Sequence, residues 1–160
     1  MKHLEHAKLR EVVFSKDLCD QIKAELDGLE EARWFHRTKT YGQPTEGIRT
    51  ADYYFLGDRQ QPRELNKKLR ELAPKYPGLE LQGACVNRYL PGNYLPEHID
   101  VHMFRKNLVI ALCEDGDGIE IEKIFYPDVK GEGVAFGVRS VPHKVPAVKT
   151  LRYVLIYLYD

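Results

Sequence analysis

The sequence is short of cysteine, has no excess of either charge and contains no long apolar run. Each shortage narrows what the chain can be. Its three cysteines, Cys19, Cys85 and Cys113, are odd in number and far apart. Set in apolar surroundings, they read as reduced core thiols of a cytoplasmic protein. Cys113 has a second reading, as a pocket-lining residue, beside core filling. Lys plus Arg number 24 and Asp plus Glu 24, a net charge of zero with no continuous basic run. Such a balance demands neither a nucleic acid nor a membrane partner. Met1-Lys2-His3-Leu4-Glu5-His6 has no apolar h-region, so no secretory signal is expected. No apolar stretch reaches the roughly 20 residues of a membrane helix.

What is present suits a soluble globular protein. The 160 residues are 43% apolar and 30% charged, enough for one domain, 1–160, with a real core. The expected layout is a helical and variable cover over 1–78 and a sheet core over 79–160. Val12-Val13-Phe14 reads as a short strand. Ser15 follows as an N-cap, with Asp17 in the first turn. Leu18, Ile22, Leu26 and Leu29 then recur at helical spacing until Asp27-Gly28 closes the helix. Pro62-Arg63-Glu64 opens a second helix, with Leu65, Leu69 and Leu72 on one face. Between them, residues 33–60 interleave Trp34, Phe35, Tyr41, Tyr53, Tyr54 and Phe55 with Arg33, Arg37, Lys39 and Arg49. Aromatics among bases can stack on nucleic acid. A pair of strands joined by the Gly42-Gln43-Pro44 and Glu46-Gly47 turns is the preferred reading, with a substrate entrance on the same segment.

From Leu79 the period shortens to two. Asn107 to Cys113 is apolar on both faces and reads as a buried strand. Ile119-Glu120-Ile121-Glu122 alternates, and Val134-Ala135-Phe136 is a further strand. Leu151 to Tyr159 is one long strand. Leu90-Pro91-Gly92-Asn93 and Glu114-Asp115-Gly116-Asp117-Gly118 are turns. The acidic turn lacks the EF-hand pattern and reads as a solvated hairpin tip. Short strands at regular spacing after helices point to an α+β protein: an antiparallel sandwich or a jelly roll, the latter a double-stranded β-helix, with the N-terminal helices packed outside it.

Chemistry concentrates in Asn87 to Asp100. His98-Ile99-Asp100 places an imidazole and a carboxylate at i and i+2, on one side of an extended strand. His143, just before the last strand, is a candidate third ligand. Two histidines and a carboxylate make the facial triad of iron(II) oxygenases. His102 continues the i+2 series, so a zinc set of His98, Asp100 and His102 is the competing reading. It leaves His143 unexplained, and His102 suits pocket lining or support of a ligand. In the last strand Arg152, Val154, Ile156 and Leu158 share a face. An arginine heading an apolar face is either a fork for a ligand carboxylate or half of a structural ion pair. On the residues alone both readings stand.

The second half also resembles the 2-oxoglutarate- and iron(II)-dependent oxygenases, most closely their prolyl 4-hydroxylase-like branch. Arg88-Tyr89, Gly92, Tyr94 and His98-Ile99-Asp100 follow the order of that branch. So do Lys130-Gly131 before Phe136, then His143, Val145, Ala147-Val148 and Arg152-Tyr153. Upstream, Ile48-Arg49-Thr50 looks like its Arg-Thr-Ser segment. Asn87-Arg88-Tyr89 is similar to the Asn-x-Tyr of nucleic-acid demethylases in the same superfamily. The likeness runs over roughly residues 45–159. It departs at Gly116-Asp117-Gly118-Ile119, which lacks a threonine, and at Asn107 and Val109, where a threonine is common. The resemblance implies a dioxygenase in which His98, Asp100 and His143 hold iron(II). Arg152, Tyr89 and Asn87 would serve 2-oxoglutarate, with oxygen as second cosubstrate. The implied reaction hydroxylates a C–H bond, peptidyl proline first among substrates, and releases succinate and carbon dioxide. A nucleic-acid base is the alternative substrate, and a silent jelly-roll binding module the alternative to an enzyme.

Overall fold

A computed structural model describes residues 10–40, 49–99, 104–136 and 141–160. In chain order the elements are β1 (Arg10–Val12), α1 (Lys16–Asp27), a 3-10 turn (Glu31–Arg33), β2 (Phe35–Thr40), β3 (Arg49–Leu56) and α2 (Arg63–Glu71). There follow β4 (Leu81–Tyr89), β5 (Leu95–His98), β6 (Lys106–Ala111), β7 (Gly118–Ile121), β8 (Ile124–Pro127), β9 (Glu132–Phe136), β10 (His143–Val145) and β11 (Arg152–Tyr159). Among the described residues these strands make a seven-stranded sheet, β1-β9-β6-β11-β4-β3-β2, and a four-stranded one, β5-β10-β7-β8. The paired strands are antiparallel throughout.

The strand period of two sorts each central strand into two faces. Tyr153, Leu155, Tyr157 and Tyr159 of β11 join Ala84 and Val86 of β4 and Leu108 and Ile110 of β6 in one buried cluster. Cys19, Ile22 and Leu26 of α1 and Leu65 and Leu69 of α2 belong to the same cluster, so both helices cover this face. The Ser15 hydroxyl caps α1 by accepting from the Leu18 N–H at 3.1 Å. Gly28 ends it in the right-handed region at φ −84°, so the stop does not use glycine's left-handed freedom. Cys113 sits in this cluster and is not among the described residues that line the cavity on the other face. No described helix is long and apolar enough to cross a membrane.

The first 78 residues contribute strands to the large sheet as well as helices. β1 pairs with β9 at one edge, and β2 and β3 extend the sheet beyond β4 at the other. The observed β1 begins two residues before the expected Val12 strand. Gly131 explains the join. Its φ is +88°, and a Cβ there would lie 2.2 Å from the Phe14 carbonyl oxygen. Its own carbonyl accepts from the N–H groups of Val13 and Phe14. Only glycine fits this turn and this approach.

Asp117 departs from the reading of the acidic turn as a solvated tip, which holds for Glu114, Asp115 and Gly116. It is 9% exposed, and its carboxylate accepts from the Lys149 and Thr150 N–H groups and the Thr150 hydroxyl. It pins the segment that leads into β11.

Candidate active site

The opposite faces of the same strands look into a cavity of about 370 Å³. Arg152, Val154, Ile156 and Leu158 all line it, as their alternation requires. Cys85, Asn87 and Tyr89 come from β4, and Asn107 and Val109 from β6. His98, His143 and Ile119 close it from the small sheet.

His98 on β5 and His143 on β10 are register partners, with ring centroids 4.3 Å apart and planes at 52°. Both are buried, at 4% and 5% exposure. Each ring is held in the same way. His98 Nδ1 donates to the Pro96 carbonyl and His143 Nδ1 to the Val141 carbonyl, both at 2.8 Å. A carbonyl can only accept, so Nδ1 carries a proton, and in the neutral ring Nε2 is the nitrogen with the lone pair. That is the tautomer a metal needs, fixed by the backbone two residues upstream. Phe136 packs on His143 at 4.9 Å. Asp100 and His102 lie outside the described residues. Among the described residues no group of three metal-binding side chains occurs.

Arg152 forms the ion pair that was one of the two readings of it. It is 2% exposed and forks onto Asp128, with Nε to Oδ2 at 2.7 Å and Nη2 to Oδ1 at 2.9 Å. Nη1 remains buried without a hydrogen-bond partner. Burial pushes the Asp128 carboxyl above the usual carboxylate range, and Arg152 opposes that shift. Arg152 remains a cation: burial works against the charge, and the Asp128 carboxylate outweighs it.

Tyr89 faces Arg152 across the strand pair, and the guanidinium lies 5.3 Å from its ring. Tyr53 stacks on Tyr89 at 5.5 Å. Burial pushes the Tyr89 hydroxyl up to about 12, so it stays protonated. Asn87 Nδ2 donates to that hydroxyl at 3.4 Å, leaving the hydroxyl proton for another acceptor. Asn87 Oδ1 is itself buried and unpartnered.

The 33–60 segment divides by face. Arg37, Lys39, Tyr53 and Phe55 line the cavity. Tyr54 faces away, stacked on His36 at 4.5 Å, and so does not join Tyr53 at an entrance. Arg33 donates to the Gln60 carbonyl. Arg88, inside the Asn-Arg-Tyr run, belongs to the helix side: it forks onto Glu31 and lies 4.5 Å from both the Trp34 and Tyr54 rings. Tyr41 lies outside the described residues. Two site residues were missed in the sequence: Asp128, which braces Arg152, and Asn107, whose buried Oδ1 is unpartnered at the cavity wall. Asn107 stood out only as a replacement for threonine. Nothing local marked Asp128.

The fold has counterparts among solved structures. The chain is similar to a Pseudomonas putida prolyl-4-hydroxylase, with 19% identity over 95% of this chain and 91% of that one and a TM-score of 0.66. It is similar to a viral collagen prolyl hydroxylase from Paramecium bursaria Chlorella virus-1, solved with 2-oxoglutarate. There the identity is 16%, the coverage 95% and 96%, and the TM-score 0.58. A 2OG-Fe(II) oxygenase family oxidoreductase from Burkholderia pseudomallei gives 15%, 93% and 81%, and 0.63. The fold is thus that of the 2-oxoglutarate- and iron(II)-dependent oxygenases, prolyl hydroxylases among them. No family model and no curated protein matches the sequence.

Proposed function

We propose that this chain is an iron(II)- and 2-oxoglutarate-dependent dioxygenase that hydroxylates a C–H bond of its substrate. Its two sheets are read as the halves of a double-stranded β-helix, with one active site between them. The observation that carries the reading is the histidine pair. Two buried imidazoles from adjacent strands, each holding its Nδ1–H on a backbone carbonyl, share one cavity with a part-used arginine fork.

The residues fit the groups they would hold. His98 and His143 offer Nε2 to iron(II), and Asp100, two residues after His98, supplies the carboxylate of the triad. Arg152 Nη1 and the Tyr89 hydroxyl are donors waiting for a carboxylate, and no acid is among the described residues of the cavity lining. Asp128 fixes Arg152 so that Nη1 is the nitrogen left for the ligand. Asn87 orients the Tyr89 hydroxyl. The apolar wall of Val154, Ile156 and Val109 keeps the site dry and strengthens each charge-assisted contact. Bound iron, 2-oxoglutarate and oxygen supply the oxidising chemistry: one oxygen atom enters the substrate C–H bond, the other the succinate formed with carbon dioxide.

Peptidyl proline is the proposed substrate, supported by the prolyl hydroxylases among the structures of this fold. The test loads the protein with iron(II) and 2-oxoglutarate under nitrogen. It then admits oxygen in the presence of proline-containing peptides or, in parallel, methylated oligonucleotides. Succinate release and a peptide heavier by one oxygen are expected. Turnover of the oligonucleotides alone would replace the peptide with a nucleic-acid base. Absence of 2-oxoglutarate binding would leave a silent jelly-roll module.

A further inference from the structure

The oxygenase reading leaves two cavity cations unused, and on that reading they say what the primary substrate must carry. β2 forms one edge of the large sheet and turns Arg37 and Lys39 to the cavity. The Arg37 guanidinium lies 4.3 Å from the Phe55 ring centroid and 5.7 Å from that of Phe35. Its Nε is buried without a hydrogen-bond partner. Stacking on an aromatic face leaves the in-plane donors of a guanidinium for a ligand. Among the described residues no carboxylate shares the cavity lining with it. Arg152 differs, because Asp128 balances its charge.

Position separates the two arginines. Arg152 pairs with Tyr89, Tyr89 stacks on Tyr53, and Tyr53 pairs with Arg37, so the four lie in one row across β11, β4, β3 and β2. Three strand spacings, about 14 Å, separate the backbones of β11 and β2. The cosubstrate's carboxylate is met at the sheet's centre, and Arg37 stands at its edge.

We propose that Arg37, with Lys39 at the rim, is a subsite for a carboxylate on the primary substrate. That carboxylate is either an acidic side chain beside the oxidised residue of a peptide or the α-carboxylate of a free amino acid. A planar guanidinium meets a carboxylate with two parallel hydrogen bonds. Lys39 is exposed, and its attraction is screened by salt.

Four probes distinguish the sources: a capped peptide containing Asp-Pro, its Asn-Pro counterpart, L-proline and L-prolinamide. Binding is measured by calorimetry under nitrogen on protein first shown to bind iron(II) and 2-oxoglutarate. In at least one pair the carboxylate member is expected to bind about tenfold or more tightly, the scale of a charge-assisted hydrogen bond. The pair that discriminates names the source. Arg37→Gln should reduce the preference to about twofold or less, and Arg37→Lys should keep part of it. The 2-oxoglutarate affinity of both variants should match that of the unsubstituted protein. Equal affinity within both pairs, including no binding by any probe, overturns the subsite. So does a preference that survives Arg37→Gln. Loss of 2-oxoglutarate binding in Arg37→Gln would move Arg37 to the cosubstrate and overturn the subsite while the oxygenase reading stands. If the unsubstituted protein binds no 2-oxoglutarate, the oxygenase reading falls, and the subsite with it.

Discussion

The two faces of the large sheet are made by alternate residues of the same strands, yet they treat polar groups differently. On the helix side, Tyr153 donates to Asp27, and the Tyr157 and Tyr159 hydroxyls donate to the carbonyls of Leu69 and Pro74. Arg88 there has its fork filled by Glu31 and is sandwiched by two rings. On the cavity side Arg152 has a carboxylate too, but its Nη1, Asn87 Oδ1, Asn107 Oδ1 and Arg37 Nε are all buried without partners. Burying a polar atom unpaired costs about 1–3 kcal/mol. Trp34 Nε1 and Arg88 Nε on the helix side are unpartnered too, but neither residue is in the cavity lining, whereas all four on the other side belong to residues that line it.

The sharpest test of this division is metal binding. His98→Ala, Asp100→Ala and His143→Ala should each weaken iron(II) binding by about 100-fold or more, on the scale of losing a ligand. His102→Ala and Arg88→Ala should change it far less. Metal titration of the five variants is the check; a silent His143→Ala would break the triad.

Asp128→Asn comes next. It leaves a buried arginine without its counter-charge, at a cost of about 3–5 kcal/mol in urea unfolding. A 2-oxoglutarate dianion would restore part of that balance, so it should raise the melting temperature of Asp128→Asn more than that of the unsubstituted protein. An equal shift would place the cosubstrate away from Arg152.

Core truncation compares the faces residue by residue. Leu155, fully buried on the helix side, should lose about 3 kcal/mol as Leu155→Ala. Ile156 faces the cavity, where packing partners are already missing, so Ile156→Ala should cost about half as much. Denaturant midpoints at constant slope decide, and equal losses would mean that the cavity wall is packed as tightly as the core.

The smallest effect concerns thiols. Burial pushes Cys19 up to about 11 and Cys85 up to about 12. Thiolate is the reactive form. Native protein at pH 8 should therefore resist iodoacetamide at all three cysteines, while urea-unfolded protein is alkylated at each. Fast native labelling at Cys85 alone would show the cavity side to be the more open.

Much of this was determined by sequence alone, where the physics is local. Helical spacing from Leu18 to Leu29 and the Ser15 cap define α1 without tertiary help. Period-two alternation from Arg152 to Leu158 assigns each side chain to a face, because the pleat admits no other arrangement. The same rule applied to His98 and Asp100 needs only that both lie on one strand; β5 ends at His98, and Asp100 lies outside the described residues.

The tertiary structure decided what depends on a partner distant in the chain. Arg152 was open between ion pair and ligand fork until Asp128, 24 residues earlier, was brought to it. Asp117 looked like a solvated tip until Lys149 and Thr150 closed over it. Arg37 and Lys39 read as bases among aromatics, and only the register of β2 on β3 turned them to the cavity. A charged side chain reports its own preference, but its surroundings come from segments joined through the sheet. Desolvation and pairing, which set its role, are properties of those surroundings.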